Sequence, residues 1–162
     1  MAIFTRTKPS QNRCSAFEKR TLRRKMEVEN DFIKREIQRI NLLLTSLIEK
    51  ISGINLNSAK SGIEETNEAL KSEFDLTLTD FTQMENSEFV KRIKKLHESH
   101  TEKLLELIYE IVIKTELPDL SGDYNKMKIA QKGILIIDFL NEETNTFSIN
   151  RMNIKNALQQ CV

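Results

Sequence analysis

Three observations predict an all-α fold: a long row of aliphatic residues at helical spacing, a scarcity of helix breakers, and an alternating stretch that lacks a partner. Ile33, Ile37, Ile40, Leu44, Leu47 and Ile51 follow one another at intervals of 4, 3, 4, 3 and 4, which sets them on one side of an α-helix. Only 4 Gly and 2 Pro occur in 162 residues, a composition that suits long helices better than turn-rich β-sheet. The segment Asp75–Thr82 alternates apolar and polar residues through Leu76, Leu78 and Phe81. With no second strand nearby, it reads as an extended link or a helical turn that plugs these side chains into the core. The length fits one domain with a single core.

The first predicted helix starts with Asn30 or Asp31 as its cap and runs to Ser52, with Gly53 as the stop. Leu43 and Ile48 widen its apolar stripe beyond a two-position seam. A polar connector, Ile54–Ser61, leads to a short helix marked by Ile63, Thr66, Leu70 and Phe74, its outer side carrying Glu64, Glu65, Glu68 and Lys71. Phe89, Val90, Ile93 and Leu96 predict a third helix beginning at Ser87, with a basic far face of Lys91, Arg92, Lys94 and Lys95. Ser99-His-Thr-Glu102 has the form of a capping box. The helix it opens carries Leu104, Leu105, Leu107, Ile108, Ile111, Val112 and Leu117, is the most apolar of the chain, and ends at Pro118. Pro118–Asp123 is turn chemistry.

A fifth helix is predicted over Asp123–Asn141 from Tyr124, Met127, Ala130, Ile134, Ile137 and Leu140. Its competitor is a β-hairpin from Gly133 to Ile149, but the periodic run begins before Gly133 and outlasts a typical strand. Ser148 then caps a sixth helix with Ile149, Met152, Ile154 and Leu158. Six helices joined by short polar links form a set of antiparallel hairpins, packed in a bundle or a tetratricopeptide-like array.

Charge is distributed unevenly. Residues 1–25 hold eight basic side chains against Glu18 alone, a net +7, which leaves −6 for the remainder of a chain whose total is +1. That segment has no apolar period and contains Pro9, so it buries too little to offset its ordering. It is expected to be a basic, disordered extension, with a single helical domain over 26–162. Acidic residues gather after Met26, as suits a helix N-terminus, and Met26 is the expected natural start. Cys14 and Cys161 build no disulfide framework, which points to a reducing, cytoplasmic setting. No apolar run approaches the roughly 18 to 20 residues of a membrane span, and no secretory core follows the first basic residue.

Chemistry-bearing residues do not converge. His97 and His100 are the only histidines and stand three apart, a spacing that can share a metal. Glu98 and Glu102 stand beside them, but the pair falls across a predicted helix boundary and no Cys or third histidine completes a set. Glu64, Glu65, Glu68 and Glu73 read as a wet helix side. Cys14 and Cys161 have no neighbouring base. Gly53, Gly62, Gly122 and Gly133 are isolated, so no phosphate-binding loop is present. No catalytic residue, metal, cofactor or small-molecule substrate is therefore expected, and the chain reads as a non-enzyme.

Asp31-Phe-Ile-Lys-Arg-Glu-Ile-Gln-Arg-Ile40, together with Ala130-x-Lys-Gly-Ile-Leu-x-x-Asp138-Phe-Leu and Thr146-Phe-Ser-x-x-Arg151, resembles an all-helical family of small bacterial proteins of unknown function with tetratricopeptide-like hairpins. The likeness runs from about Met26 to the C-terminus. It implies a fold and no catalytic residue. The chain lacks the 34-residue period and Trp/Gly/Tyr pattern of a tetratricopeptide array.

The functional expectation is a cytoplasmic, helical protein–protein interaction module with an unknown protein partner. The seam of the first predicted helix also fits a homodimer, because its 4, 3 spacing is that of a two-stranded coiled coil. The alternative is a nucleic-acid-binding protein that uses the basic N-terminal arm and the basic third helix. Against it, the body is acidic, and the link between the second and third helices is too long for a helix-turn-helix.

Overall fold

Leucine, glutamate, lysine and arginine recur through the segments between the few breakers and lose little freedom in a helix, while isoleucine adds apolar surface to bury. The computed structural model describes residues 12–55, 58–115 and 124–162, with side chains from residue 18 onward. Among these it has seven helices and no strand: α1 (Asn12–Ser52), α2 (Ala59–Phe74), α3 (Leu78–Gln83), α4 (Asn86–Ile93), α5 (Glu98–Lys114), α6 (Lys126–Thr144) and α7 (Ile149–Gln159). The fold is all-α, and α6 excludes the hairpin reading of Gly133–Ile149 by running unbroken through Gly133. The turn expected at Pro118–Asp123 lies outside the described residues.

Helix α1 starts at Asn12, not at Asn30 or Asp31 as expected. The stretch read as disordered therefore joins the helix from Asn12 on. Residues 12–52 contain neither Gly nor Pro, and Arg23/Glu27, Lys25/Glu29 and Asp31/Arg35 stand at the i, i+4 spacing that supports an isolated helix. Propensity and charge spacing thus extend the helix where no apolar period announced it. The described residues divide into two compact units between Glu36 and Ile37.

In the second unit, α6 is the central element, packed against α3, α4, α5 and α7. Its buried residues Ile129, Ala130, Gly133, Ile136, Ile137 and Leu140 supply the middle of one continuous core. Gly133 allows the approach: a methyl group there would lie 2.6 Å from Leu158 Cδ1 and 3.3 Å from Ile108 Cγ2. Helix α5 adds Leu104, Leu105, Leu107, Ile108, Ile111 and Val112, all buried. Leu44, Leu47 and Ile51 of α1 are buried in the same core. Lys50 pairs with Glu65 and Arg39 with Glu73, so this end of α1 and helix α2 run antiparallel.

The alternating Asp75–Thr82 segment resolves into a turn and the short α3. Asp75 adopts φ 52°, a left-handed C-cap for α2, a conformation that aspartate tolerates better than most residues. Thr77 and Asp80 form a reciprocal capping box at α3, and Leu76, Leu78 and Phe81 are buried. Phe81 meets Phe89 of α4 edge to face at 5.3 Å between ring centroids. Ser148 caps α7 as expected, its side chain accepting from the Arg151 amide.

Ile108 is 1% exposed, whereas Glu64 is exposed. Ile108→Asp is therefore expected to lower the unfolding free energy by at least about 3 kcal/mol, since it buries an unpaired carboxylate. Glu64→Ala should stay within about 0.5 kcal/mol. Urea unfolding of both variants checks this pair, and equal, small shifts would contradict the core assignment.

Candidate interaction surface

Every residue from 18 to 35 on α1 is exposed. The row includes five large apolar side chains, Leu22 (59% exposed), Met26 (61%), Val28 (69%), Phe32 (67%) and Ile33 (48%). By helical register Leu22, Met26 and Ile33 continue the spacing that runs from Ile37 to Ile51, and Val28 and Phe32 stand on a second side. The latter two, with Thr21, Arg24, Lys25 and Glu29, line a shallow, open groove. Lys19, Arg20, Arg23, Arg24 and Lys25 are followed by Glu27, Glu29 and Asp31, so the surface is basic at one end and acidic further along. Single exposed apolar residues are ordinary, but five large ones between Leu22 and Ile33 on a solvated helix mark a contact surface.

The polar groups inside the second unit serve as ties between its elements. His97 caps α5 by accepting the Ser99 amide on Nδ1 at 3.2 Å, and helix α5 begins at Glu98. Ser99 and Glu102 do not form the expected box because both have tertiary partners. Ser99 Oγ accepts from Asn41 Nδ2 at 3.0 Å, and Glu102 Oε1 lies 3.6 Å from Arg151 Nε. The His100 ring is buried, with Nε2 donating to the Ile37 carbonyl at 3.2 Å. Since a carbonyl only accepts, that nitrogen carries the proton. The two histidine rings are 5.6 Å apart, and each already binds within the fold. Among the described residues no group of three or more His, Cys, Asp or Glu could hold a metal ion.

Lys132 was not singled out by spacing, yet it is 4% exposed. Its Nζ donates to the Met84 carbonyl at 2.6 Å and to Asn86 Oδ1 at 2.7 Å, and lies 5.1 Å from the Phe89 ring centroid. It joins the end of α3 and the start of α4 to α6. Burial pushes its ammonium below the usual lysine range, with Glu85 acting in the opposite sense. Arg151, 2% exposed, donates to the Thr146 carbonyl at 2.8 Å and Thr146 Oγ1 at 3.0 Å. The Thr146-Phe-Ser-x-x-Arg151 run is thus a self-tied turn between α6 and α7. A charged residue on a helical apolar face is the signal that finds both, once it is read as a buried tie.

Of the other candidates, Glu64, Glu65 and Glu68 are exposed. Cys161 is part-buried, its thiol donating to the Ala157 carbonyl at 3.6 Å. The Cys14 side chain and Gly122 lie outside the described residues. On the basic α4, Arg92 donates to the Asp75 carbonyl at 2.7 Å and pairs with Glu88, while Lys91, and Lys94 and Lys95 just past the helix end, are exposed. No helix among the described residues is long and apolar enough to cross a membrane. No protein-family model, curated protein or solved structure matches the chain.

Glu102 carries a pH signature. Desolvation raises its carboxyl above the ordinary glutamate range, Arg151 opposes the rise, and Glu98 and Glu106 add to it. A folded-state carboxyl above its unfolded value binds protons more readily in the folded chain, so its contribution is complete at low pH and is lost as pH rises through the folded value. Relative to Glu102→Gln, the wild type should thus lose stability as pH rises from about 4 toward 7. Urea midpoints of both proteins across that range check it, and parallel curves would contradict it.

Proposed function

We propose that the protein is a non-enzymatic helical module that acts through protein contact in a reducing, cytoplasmic compartment. The observation that carries this reading is the exposed row Leu22, Met26, Val28, Phe32 and Ile33 on α1. Apolar side chains interleaved with both signs of charge suit a helical or grooved protein partner. The homodimer expected along the first helix must use this upstream part, because Leu44, Leu47 and Ile51 are occupied within their own chain.

A second reading, nucleic-acid binding, is favoured by the exposed block Lys19, Arg20, Arg23, Arg24 and Lys25. It ranks below the first because Glu27, Glu29 and Asp31 adjoin that block, and because Arg92 on the basic α4 is engaged by Glu88 and Asp75.

A photo-crosslinking residue placed at Val28 in cells separates the two readings. Protein adducts that survive nuclease are expected. Adducts that nuclease destroys, matched by salt-sensitive retention of an RNA or DNA fragment in vitro, would transfer the reading to nucleic acid. No adduct of either kind would overturn both.

A further inference from the structure

We propose that residues 18–36 of α1 pair with the same stretch of a second copy of this chain, in antiparallel orientation. This rests on the protein-contact reading above and names the partner and its geometry. The occupant is specified by charge order. Residues 18–25 hold five basic side chains against Glu18, a net +4, whereas residues 27–36 hold Glu27, Glu29, Asp31 and Glu36 against Lys34 and Arg35, a net −2. A parallel, in-register pair would place the basic blocks side by side and oppose Glu29 to itself. Reversing one copy sets each basic block on the partner's acidic block, and two-fold symmetry makes that match twice.

The apolar positions obey the same reversal. Leu22, Met26, Glu29 and Ile33 stand at 4, 3, 4 spacing along the side that upstream of Ile37 has no cover. Placing Leu22 opposite the partner's Ile33 also opposes Lys19 to the partner's Glu36, Met26 to the partner's Glu29, and Arg24 to the partner's Asp31. The carboxylate of Glu29 then lies beside the partner's basic block. All of these residues belong to one compact unit, so the pairing disturbs no core residue.

Sedimentation equilibrium of the full chain, from micromolar to near-millimolar concentration, tests association. A monomer–dimer equilibrium is expected, and Leu22→Lys with Met26→Lys should weaken it roughly tenfold or more, the scale of two lost seam contacts. At concentrations where the wild type is monomeric the urea midpoint should be unchanged, because both residues are exposed in the single chain. Orientation is read by disulfide trapping in a background with Cys14 and Cys161 replaced by serine. A mixture of Leu22→Cys and Ile33→Cys chains is expected to give mainly the mixed dimer. Predominant Leu22→Cys homodimers, or a monomer at every concentration, would overturn the proposal. If a monomer still yields nuclease-resistant adducts to a different protein at Val28, self-pairing falls while the protein-contact reading stands. Adducts that nuclease destroys remove both.

Discussion

The close approach of α6 to its neighbours at Gly133 is the constraint on which the compact part of the molecule depends. Helices packed through large side chains keep their axes about 8 to 10 Å apart. At Gly133 there is no room even for a methyl group beside Leu158 and Ile108 unless one of them moves. Helices α5 and α7 are thereby drawn onto the same part of α6. From that point the ties radiate: Lys155 pairs with Asp138 at 2.6 Å, Arg151 gathers the α6–α7 turn, and Lys132, one residue before the glycine, holds α3 and α4. A glycine inside a helix costs roughly 1 kcal/mol against alanine. Here the loss is offset by the packing it permits.

Burying two cationic side chains in so small a core is expensive unless their protons are satisfied. The solution at both is similar. Lys132 and Arg151 direct their donors at carbonyls left free where helices stop, Met84 at the end of α3 and Thr146 beyond α6. Each cation therefore replaces a missing intrahelical partner and joins two elements at once. His100 also joins two elements, but its acceptor, the Ile37 carbonyl, lies inside α1 rather than at a helix end.

How much of this was legible in the sequence depended on whether one local signal acted alone. Helices α5 and α6 were legible because their aliphatic spacing is long and unopposed, and Ser148 was legible as a cap because nothing competes for its hydroxyl. Ser99 and Glu102 matched a cap pattern equally well, yet tertiary partners, Asn41 and Arg151, took both side chains and the cap passed to His97. The segment Asp75–Thr82 alternates as a strand would, but the absence of a partner strand marks it as a link or helical turn, and Thr77-Leu-Thr-Asp80 supplies the capping box that opens α3. The early start of α1 has no apolar signature, because residues 12–30 are held helical by backbone propensity and charge spacing. Lys132 and Arg151 are marked only by a charge on a helical apolar face, which names no partner: Lys132 reaches Met84 and Asn86, far away in sequence, and Arg151 ties back to Thr146.

The interaction surface was half legible for the same reason. The 4, 3 spacing of the first helix was plain from Ile33 onward, but spacing cannot tell which part of a stripe its own chain will cover. Leu44, Leu47 and Ile51 are buried; Leu22, Met26, Val28, Phe32 and Ile33 are exposed. Covering a large aliphatic or aromatic side chain contributes roughly 1.5 to 3 kcal/mol, so five uncovered ones leave unrealised an energy of about the size of a small domain's whole stability, 5 to 15 kcal/mol. A row like that strains solubility unless charge is set among it, and here five cations and three acids are. Those charges come in blocks of opposite sign, and in the self-pairing we propose that order fixes how the second helix lies. The same residues that make the row tolerable in water thus make it specific when covered.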